Sequence, residues 1–321
     1  MKNKIFVTVT KFRLLLVLIV FIIVISLTSP KFLTIGNLIN LLSHVSVDGI
    51  MALGITVLLI SGSFDLSIGS NLGLVSLVTV WLQNIVGIPL SILLGILTGC
   101  LIGLINGLLV TYGRINAFIT TLSTLILVKG LALSINNGSP IPNKIPEFTI
   151  IGSGKAGLIP LTVIYFVVFI VIFWFLMKYT TFGRNAYAIG GNELASRASG
   201  INVNLHKLAY FILSGFCAAI AGVILASKMN TGSIVFGDST PLVVIASVVL
   251  GGTSLKGGVG SISGTLLGIL IIGVFNNAMN LLNVQSYYQM LIKGIILISV
   301  VQIDAYYEKM KATRRVVIGV E

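Results

Sequence analysis

Residues 90–111 read LSILLGILTGCLIGLINGLLVT and hold no charged side chain. A helix needs about 20 consecutive apolar residues to cross the hydrocarbon core of a bilayer, and this stretch is long enough. Gly95, Gly99, Gly103 and Gly107 recur within it at every fourth position. That spacing puts the four glycines on one helix face, where a second helix can approach closely. The stretch therefore predicts a transmembrane helix that is packed inside a bundle of helices.

The whole chain has the composition of a membrane protein. Of its 321 residues, 56% are hydrophobic and 9% are charged, whereas soluble domains carry about 25% charged residues. Its formal net charge is +12, from 20 Lys and Arg against 8 Asp and Glu. Because these basic residues lie at the ends of apolar runs and are not clustered on a polar face, they indicate orientation in a lipid bilayer and argue against nucleic-acid binding.

Apolar runs predict an all-α, polytopic fold of about ten membrane-spanning helices. We expect the spans near residues 12–29, 44–61, 64–82, 90–111, 117–135, 158–177, 208–227, 240–254, 261–280 and 286–303. They form one transmembrane domain over residues 1–308, which is followed by a basic tail at 309–321. A signal peptide is the alternative for the first run. That run lacks a small-x-small cleavage site, which favours a retained helix.

Basic residues also predict the orientation of the chain. They are concentrated in the N-terminal segment, in a loop at about 178–207 and in the C-terminal tail. Since Lys and Arg favour cytoplasmic segments, we place all three in the cytoplasm. The predicted spans are consistent with this, because an even number of them lies on each side of the long loop. The loop at 136–157 is then on the outer side.

Two glycine-rich segments interrupt the apolar sequence, at residues 62–70 and 251–261. Irregular backbone near membrane depth survives only where protein or water satisfies its polar groups, so both segments lie at cytoplasmic turns or line a cavity. Asp65 lies in the first segment, and an ionisable residue there is a functional candidate. A helix N-cap is its alternative role. A second close-packing series follows on the ninth span, at Gly260, Gly264 and Gly268.

Short sequence echoes predict an inverted internal repeat. Leu93–Leu97 recurs as Leu266–Leu270, and Lys129-Gly130 recurs as Lys293-Gly294, in spans that are predicted to run in opposite directions. Polar residues within or beside the spans are candidates for a translocation path, namely Asp65, Ser67, Asn106, Lys129, Asn276, Asn277 and Lys293. The alternatives are interhelical hydrogen bonds for the amides and snorkelling towards an interface for the lysines.

The sequence lacks motifs for catalysis, and we expect no enzymatic activity. It has no phosphate-binding G-x-x-x-x-G-K-[ST] motif, no H-E-x-x-H pair and no nucleophile elbow. A G-x-G-x-x-G match at residues 152–157 lies in the predicted outer loop, without the βαβ unit that dinucleotide binding needs. The cysteines and histidines lack metal-ligand spacing, so neither a disulfide nor a metal site is predicted. We expect the chain to carry no cofactor of its own.

The loop at about 178–207 holds a predicted short helix. Asn192 is a typical N-cap, Gly200 ends the segment, and Glu193 and Arg197 are spaced for an i, i+4 ion pair. An amphipathic helix that projects into the cytoplasm is suited to docking a second protein. An inert connector is the alternative, although about 30 residues is long for one.

Motifs in this loop and in three other segments resemble those of the ribose-type permeases, the membrane subunits of bacterial ABC importers for ribose, xylose, arabinose and galactosides. The loop motifs are Phe182-Gly183-Arg184, Ala188-Ile189-Gly190-Gly191-Asn192, Ala195 and Ser199-Gly200-Ile201. Residues 62–69 are similar to the family's G-G-I-D-L-S-V-G segment, with Ser63 and Phe64 in place of Gly and Ile. Residues 117–122 resemble its P-F-I-x-T-L stretch, with Ala117 in place of Pro, and residues 251–261 resemble its G-G-T-S-L-x-G-G-x-G-S run.

The resemblance implies an ABC importer permease that works as a dimer of like or unlike permeases in the bacterial plasma membrane. An extracytoplasmic binding protein would deliver a monosaccharide, either a ribose-like pentose or a hexose. A cytoplasmic ATPase, which itself binds ATP and Mg, would grip the long loop. The coupling residues would then be Gly183, Arg184, Gly190, Gly191, Asn192, Glu193, Ala195, Arg197 and Gly200.

Two alternatives stay open at the level of sequence. The same machinery could import a nucleoside or an autoinducer-2-like molecule, since the motifs identify the family and not the cargo. An ion-coupled secondary transporter would need carboxylates deep in its spans, and Asp65 is the strongest candidate for one.

Overall fold

The computed structural model describes residues 2–296, 298, 299 and 302, and most of these are helical. The α-helices are α1 (Lys2–Thr28), α2 (Ile35–Ile60), α3 (Ile68–Val86), α4 (Ile88–Thr111), α5 (Ala117–Ile135), α6 (Thr149–Ser153), α7 (Leu161–Tyr179), α8 (Thr181–Gly191), α9 (Glu193–Ala198), α10 (Val203–Met229), α11 (Thr240–Leu250) and α12 (Ile262–Leu281). Residues 286–296 form a further helical segment. Two 3₁₀ turns, at Pro146–Phe148 and Ile234–Gly237, accompany the short strands β1 (Ile141–Pro142), β2 (Lys155–Ala156), β3 (Ile159–Pro160) and β4 (Thr231–Gly232).

Among these residues, 7 helices are long and apolar enough to cross a membrane, namely α2, α3, α4, α5, α7, α10 and α12. Two shorter apolar stretches, Leu14–Thr28 and Ile234–Leu250, and the segment at 286–296 occupy the other predicted spans. The predicted all-α fold of several spans is confirmed, and ten is an approximate count. The predicted basic tail at 309–321 lies outside the described residues.

Several helix boundaries differ from the predicted ones. Helix α2 begins at Ile35, well before the predicted start at residue 44. Helix α3 begins at Ile68 and not at residue 64, because residues 61–67 leave the helical path at Gly62, which has a φ of 78°. Glycine adopts this left-handed conformation without a steric penalty.

Helix α10 lies at the centre of the bundle and packs against α2, α3 and α4. The glycine face of α4 is turned towards it. A Cβ on Gly99 would collide with Ala219, and one on Gly103 would collide with the carbonyl oxygen of Phe211. On α10, Gly215 leaves equally little room beside the backbone of α4. The two backbones therefore approach as closely as small residues permit, which is how helices associate in lipid.

Helix α2 is enclosed by protein along most of its length, with its buried residues running from Leu41 to Ile60. A helix that is apolar on all sides is expected to be buried in this way. Hydroxyl pairs join it to its neighbours. Thr56 is hydrogen-bonded to Thr265 of α12 at 2.7 Å, and Ser43 to Thr162 of α7 at 3.0 Å.

The segment between α10 and α11 descends beside α3 as irregular backbone. Gly232 lies against the backbone at Ser76, Ile234 against Gly73, and Gly237 against Gly69. These glycines leave no space for a Cβ, so the two chains touch directly. Helix α11 itself has 11 residues and is about 16 Å long, which is too short to cross a bilayer. The irregular segment before it covers the remaining distance.

The two ends of the bundle are built from different loops. At one end β1 pairs with β4, and the Asn143 side chain receives a hydrogen bond from Gln83 and donates one to Asn230. At the other end lie α8, α9 and both predicted glycine-rich breaks. The loops at 136–157 and 178–207 are therefore on opposite ends, as the predicted topology requires.

We expect Gly103→Ala to lower the free energy of unfolding by about 1–3 kcal/mol, because its new methyl group overpacks the contact between α4 and α10. Gly130→Ala is the matched control, since no atom lies within 4 Å of a Cβ built there. Both changes share the helix-propensity gain of alanine over glycine. Thermal unfolding of the detergent-solubilised protein measures the difference. Equal unfolding temperatures for the two variants would contradict the packing described here.

Candidate functional site

The predicted cytoplasmic loop at 178–207 folds into two helices, α8 and α9. The expected short helix is present as α9, and the Asn192 side chain caps it by accepting a hydrogen bond from the Ala195 amide at 2.9 Å. The preceding part of the loop, which was not expected to be helical, forms α8. Thr180 caps that helix, and its Ala186 and Ile189 are buried against the bundle.

An ion-pair cluster holds α9 in place. Arg197 lies 2.8 Å and Lys207 of α10 lies 2.6 Å from the two carboxylate oxygens of Glu193. Arg197 also donates a hydrogen bond to Asn204 at 2.8 Å. Partial burial acts to raise the pKa of Glu193, but the hydrogen bonds from Lys207 and Arg197 outweigh it, and the pKa is lowered. The cluster therefore stays charged and ties α9 to the start of α10.

The face of α9 that is turned away from the bundle is exposed and partly apolar. Leu194 is 80% exposed, although it lies on a helix between polar residues. A single exposed leucine is common on protein surfaces, and Leu194 is a candidate contact because it lies on the helix that is predicted to dock a second protein. Leu194 was not among the residues predicted for coupling, although a leucine next to the predicted Glu193–Arg197 pair was a visible signal.

The remaining residues predicted for coupling have different positions. Gly183 is buried against Met177 at the junction of α7 and α8, and the side chain of Arg184 is directed to the Tyr179 carbonyl oxygen at 3.4 Å. Ala195 and Gly191 are exposed. Gly200 has a φ of 82° and lies in the turn that leads into α10.

Four glycines bring α8 into direct contact with both glycine-rich breaks. Gly190 of α8 lies against the Ile60 carbonyl oxygen at the end of α2, with no room for a Cβ. The Gly258 amide donates a hydrogen bond to that same oxygen at 2.8 Å. Gly257 packs between Gly62 and Gly190. A movement of α8 would therefore reach α2 and the 251–261 loop without an intervening side chain.

An open cavity of about 920 Å³ adjoins this junction. It lies between α9, residues 62–64 and the turn after α4, and its charged lining residues are Arg114, Glu193, Arg197 and Lys207. The cavity is therefore basic on balance and opens at the end that carries α9.

Three of the predicted path residues meet in one buried network. Ser67 donates both its hydroxyl, at 2.6 Å, and its amide, at 2.9 Å, to one carboxylate oxygen of Asp65. Ser214 of α10 donates to the other oxygen at 2.8 Å, and the Asn106 side chain of α4 donates to the Ser67 hydroxyl at 2.8 Å. All four residues are buried. The network crosslinks the 61–67 segment to α4 and α10. The N-cap residue of α3 is Ser67, and the only backbone amide that donates to the Asp65 carboxylate is that of Ser67, so the alternative role of Asp65 as a helix cap is wrong.

A second group of predicted path residues lies elsewhere, around a polar cavity of about 240 Å³ between α2, α12 and residues 286–296. Asn276, Asn277 and Lys293 line it together with Asp48 of α2. Asn277 also exchanges hydrogen bonds with Asn37 at 2.8 and 2.9 Å. Asp48 was not among the predicted path residues, although a lone acidic residue inside the apolar run of the second span was a visible signal.

Lys129 joins neither group. Its ammonium group lies 2.6 Å from a carboxylate oxygen of Asp238, which stands between the 3₁₀ turn and α11. Both side chains keep more than two-fifths of their surface exposed, at 41% and 49%.

Ser214→Ala should destabilise the protein by about 1–3 kcal/mol, because it leaves one oxygen of the buried Asp65 carboxylate without a donor. Ser263→Ala is the matched control, since Ser263 is exposed on α12 and makes only a 3.4 Å contact with Ser261. Thermal unfolding of both variants is the measurement. A Ser214→Ala variant as stable as the control would mean that the network does not hold these helices together.

Comparisons with known proteins agree with this architecture. Residues 37–301 match the model of the family described as branched-chain amino acid transport system / permease component. The chain is 44% identical to the ribose import permease protein of Bacillus subtilis (strain 168), over 89% of this chain and 90% of that protein. It is 40% identical to the ribose import permease protein of Escherichia coli (strain K12), over 90% and 92% of the two chains. It is also 40% identical to the L-arabinose transport system permease protein of the same strain, over 94% and 93%.

No solved structure matches this chain. The matched segment nevertheless extends from the first turn of α2 to beyond α12, and therefore includes α9, the glycine junction and both glycine-rich breaks. The resemblance drawn from the loop motifs is thus supported across nearly the whole protein. The chain belongs to this family of transport-system permease components, and its predicted kinship with the ribose-type permeases is confirmed.

Proposed function

We propose that this protein is the membrane-spanning permease subunit of an ATP-driven bacterial importer and forms the passage for a monosaccharide. The observation that carries the proposal is 40–44% identity to ribose and arabinose permeases over about nine-tenths of the chain. The bundle of apolar helices and the exposed helix α9 support the proposal, because such a subunit needs membrane-spanning helices and a surface for a motor protein.

The motor is a cytoplasmic ATPase that binds ATP and Mg and docks on α9. Two features of the loop support this role. Leu194 offers an apolar contact, and the Glu193 cluster keeps α9 rigid on the bundle. The glycine junction at Gly190 then links the docked helix to α2 and to the 251–261 loop. ATP binding would favour one of two discrete packings of the bundle and ATP hydrolysis the other.

The remaining partners lie around and outside the membrane. A second permease, identical or different, completes the passage, and an extracytoplasmic binding protein delivers the cargo to the outer face. The protein resides in the bacterial inner membrane. The end that bears α9 is cytoplasmic, because it carries the basic residues Arg114, Arg184, Arg197 and Lys207. Both termini are also basic and lie in the cytoplasm for the same reason.

Uptake by proteoliposomes tests the proposed function. They contain this chain, its partner ATPase and its binding protein, with ATP on the cytoplasmic side. We expect ATP-dependent accumulation of one labelled pentose or hexose. Nucleosides, autoinducer-2-like molecules and branched-chain amino acids complete the panel, so accumulation of one of these would correct the cargo. Accumulation that needs an ion gradient and no ATP would overturn the importer proposal.

Leu194→Asp should abolish association with the ATPase and ATP-dependent uptake, because it places a charge at the apolar contact of α9. Glu193→Lys combined with Arg197→Glu should have the same effect. Leu158→Asp is the control, since Leu158 is 74% exposed at the opposite end of the bundle. Co-purification of the ATPase is the measurement, with thermal unfolding as the check on folding. Undiminished co-purification with both α9 variants would remove α9 from the docking surface.

A further inference from the structure

The Lys129–Asp238 ion pair lies at a depth where a bilayer offers no water. Asp238 follows Gly237, which touches Gly69 near the start of α3. Gln83 of α3, fourteen residues further on, bonds with Asn143 at the outer end of the bundle. Helical rise puts these two levels about 21 Å apart, so Asp238 lies deep within the approximately 30 Å hydrocarbon layer.

The pair nevertheless lies on the exposed side of the helix bundle, where a single chain leaves it uncovered. The two side chains are 41% and 49% exposed. Ile126, one helical turn from Lys129 on the same face of α5, is 64% exposed. Val235 is 62% exposed, and in a 3₁₀ turn residues three apart share a face, which puts Val235 beside Asp238. These residues form one continuous surface, which we call the α5 face.

Lipid tails are unsuited to cover the α5 face. Charged side chains at membrane depth are stable only towards the interior of a bundle or a water-filled cavity. The backbone of residues 231–239 is irregular at the same depth, and such backbone is tolerated only where protein covers it or where it lines water. Its inner side is covered by α3, whereas Val235 and Asp238 face outwards.

Snorkelling does not account for Lys129. Helical side chains tilt towards the helix N-terminus, which for α5 is the end at Ala117. Lys129 is only six residues, about 9 Å, from the other end of α5 at Ile135. Its ammonium group nevertheless reaches Asp238 in the deep segment, and not the nearer membrane surface.

We propose that the α5 face, with the Lys129–Asp238 pair at its centre, is the wall of the aqueous cargo path, which a second permease closes. This inference rests on the proposed function and assigns its passage to one surface. A twofold axis along the path would place a second pair opposite the first. Two ammonium and two carboxylate groups then surround the path, and they can donate to and accept from the hydroxyl groups of a sugar while the net charge of the ring is zero.

Cysteine labelling tests the position of this wall and leaves the ion pair intact. Val235→Cys places a thiol on the α5 face. Val171→Cys is the matched control, because Val171 is 58% exposed at the middle of α7 and has apolar neighbours. A membrane-impermeant, charged methanethiosulfonate is applied to the assembled importer, and peptide mass spectrometry reads modification at each position, so Cys100 and Cys217 remain in place. Uptake of the sugar is measured before and after treatment.

We expect Val235→Cys to be modified and its uptake to fall by about tenfold or more, since the added group blocks the path, while Val171→Cys stays unmodified. An unmodified Val235→Cys would overturn the proposal, because the α5 face would then be covered by lipid or by dry protein. Modification without loss of uptake, or equal modification of both positions, would overturn it as well. The labelling result stands apart from the proposed function, which fails only if the untreated parent importer shows no ATP-dependent uptake.

Exchange of the two charges tests the pair itself. Lys129→Met and Asp238→Asn should each reduce uptake by about tenfold or more, because each leaves one charge in the path without its partner. Lys129→Asp combined with Asp238→Lys should restore most of the uptake, and co-purification of the ATPase should be unchanged in all three variants. Normal uptake by the single variants would show that the pair has no role in the path. Loss of uptake that the exchange does not recover would show that the two side chains do not act as a pair.

Discussion

Direct contact between helix backbones is the constraint on which this structure depends. Between helices in lipid there is no difference in hydrophobicity to drive association, so close van der Waals packing and interhelical hydrogen bonds must supply it. Helix α10 meets α4 where Gly99, Gly103 and Gly215 leave no room for side chains. With the backbones this close, the Asn71 side chain of α3 reaches the Gly99 carbonyl oxygen at 3.2 Å. The positions of the helices in the core therefore depend on glycines, which have no side chain to hold the backbones apart.

The same device recurs at the end of the molecule that carries α8 and α9. Gly190, Gly257 and Gly258 bring α8, α2 and the 251–261 loop to one point, and the Ile60 carbonyl oxygen accepts the Gly258 amide there. A junction made of backbone atoms is rigid, because the backbone has few alternative conformations whereas side chains have several rotamers. Such a junction is suited to pass a rigid displacement from a docked motor protein into the bundle. The proposed coupling and the observed packing thus share one physical basis.

Polar residues within the bundle divide into two kinds by what satisfies them. Asp65, Ser67, Asn106 and Ser214 bond to one another and are closed off by protein, so they join helices. Lys129 and Asp238 also bond to each other, but on a surface that a single chain leaves open. The cavity beside Asp48 and Lys293 is intermediate, because it is polar but lies inside one chain. Polar side chains that are fully hydrogen-bonded inside the chain thus differ from those that need water or a second subunit as a neighbour.

The sequence by itself determined the class of fold, the approximate number of spans, the capped helix in the loop at about 178–207 and the family. These depend on local features: the length of apolar runs, glycines at every fourth position, and the cap and ion-pair spacing around Asn192 and Glu193. It did not predict α8, whose buried face is defined only by contact with the bundle, or the irregular descent of residues 231–239 along α3.

The partners of the polar residues were decided by the tertiary structure alone. Asp65 meets Ser214, and Lys129 meets Asp238, across more than a hundred residues of chain. Asp48 and Lys293 come to share a cavity only because α2 and the segment at 286–296 lie side by side. Helical periodicity reports which residues share a face with their near neighbours in sequence. Whether that face then meets a serine, an opposite charge or lipid depends on how distant helices pack, and this determines the role of each polar residue.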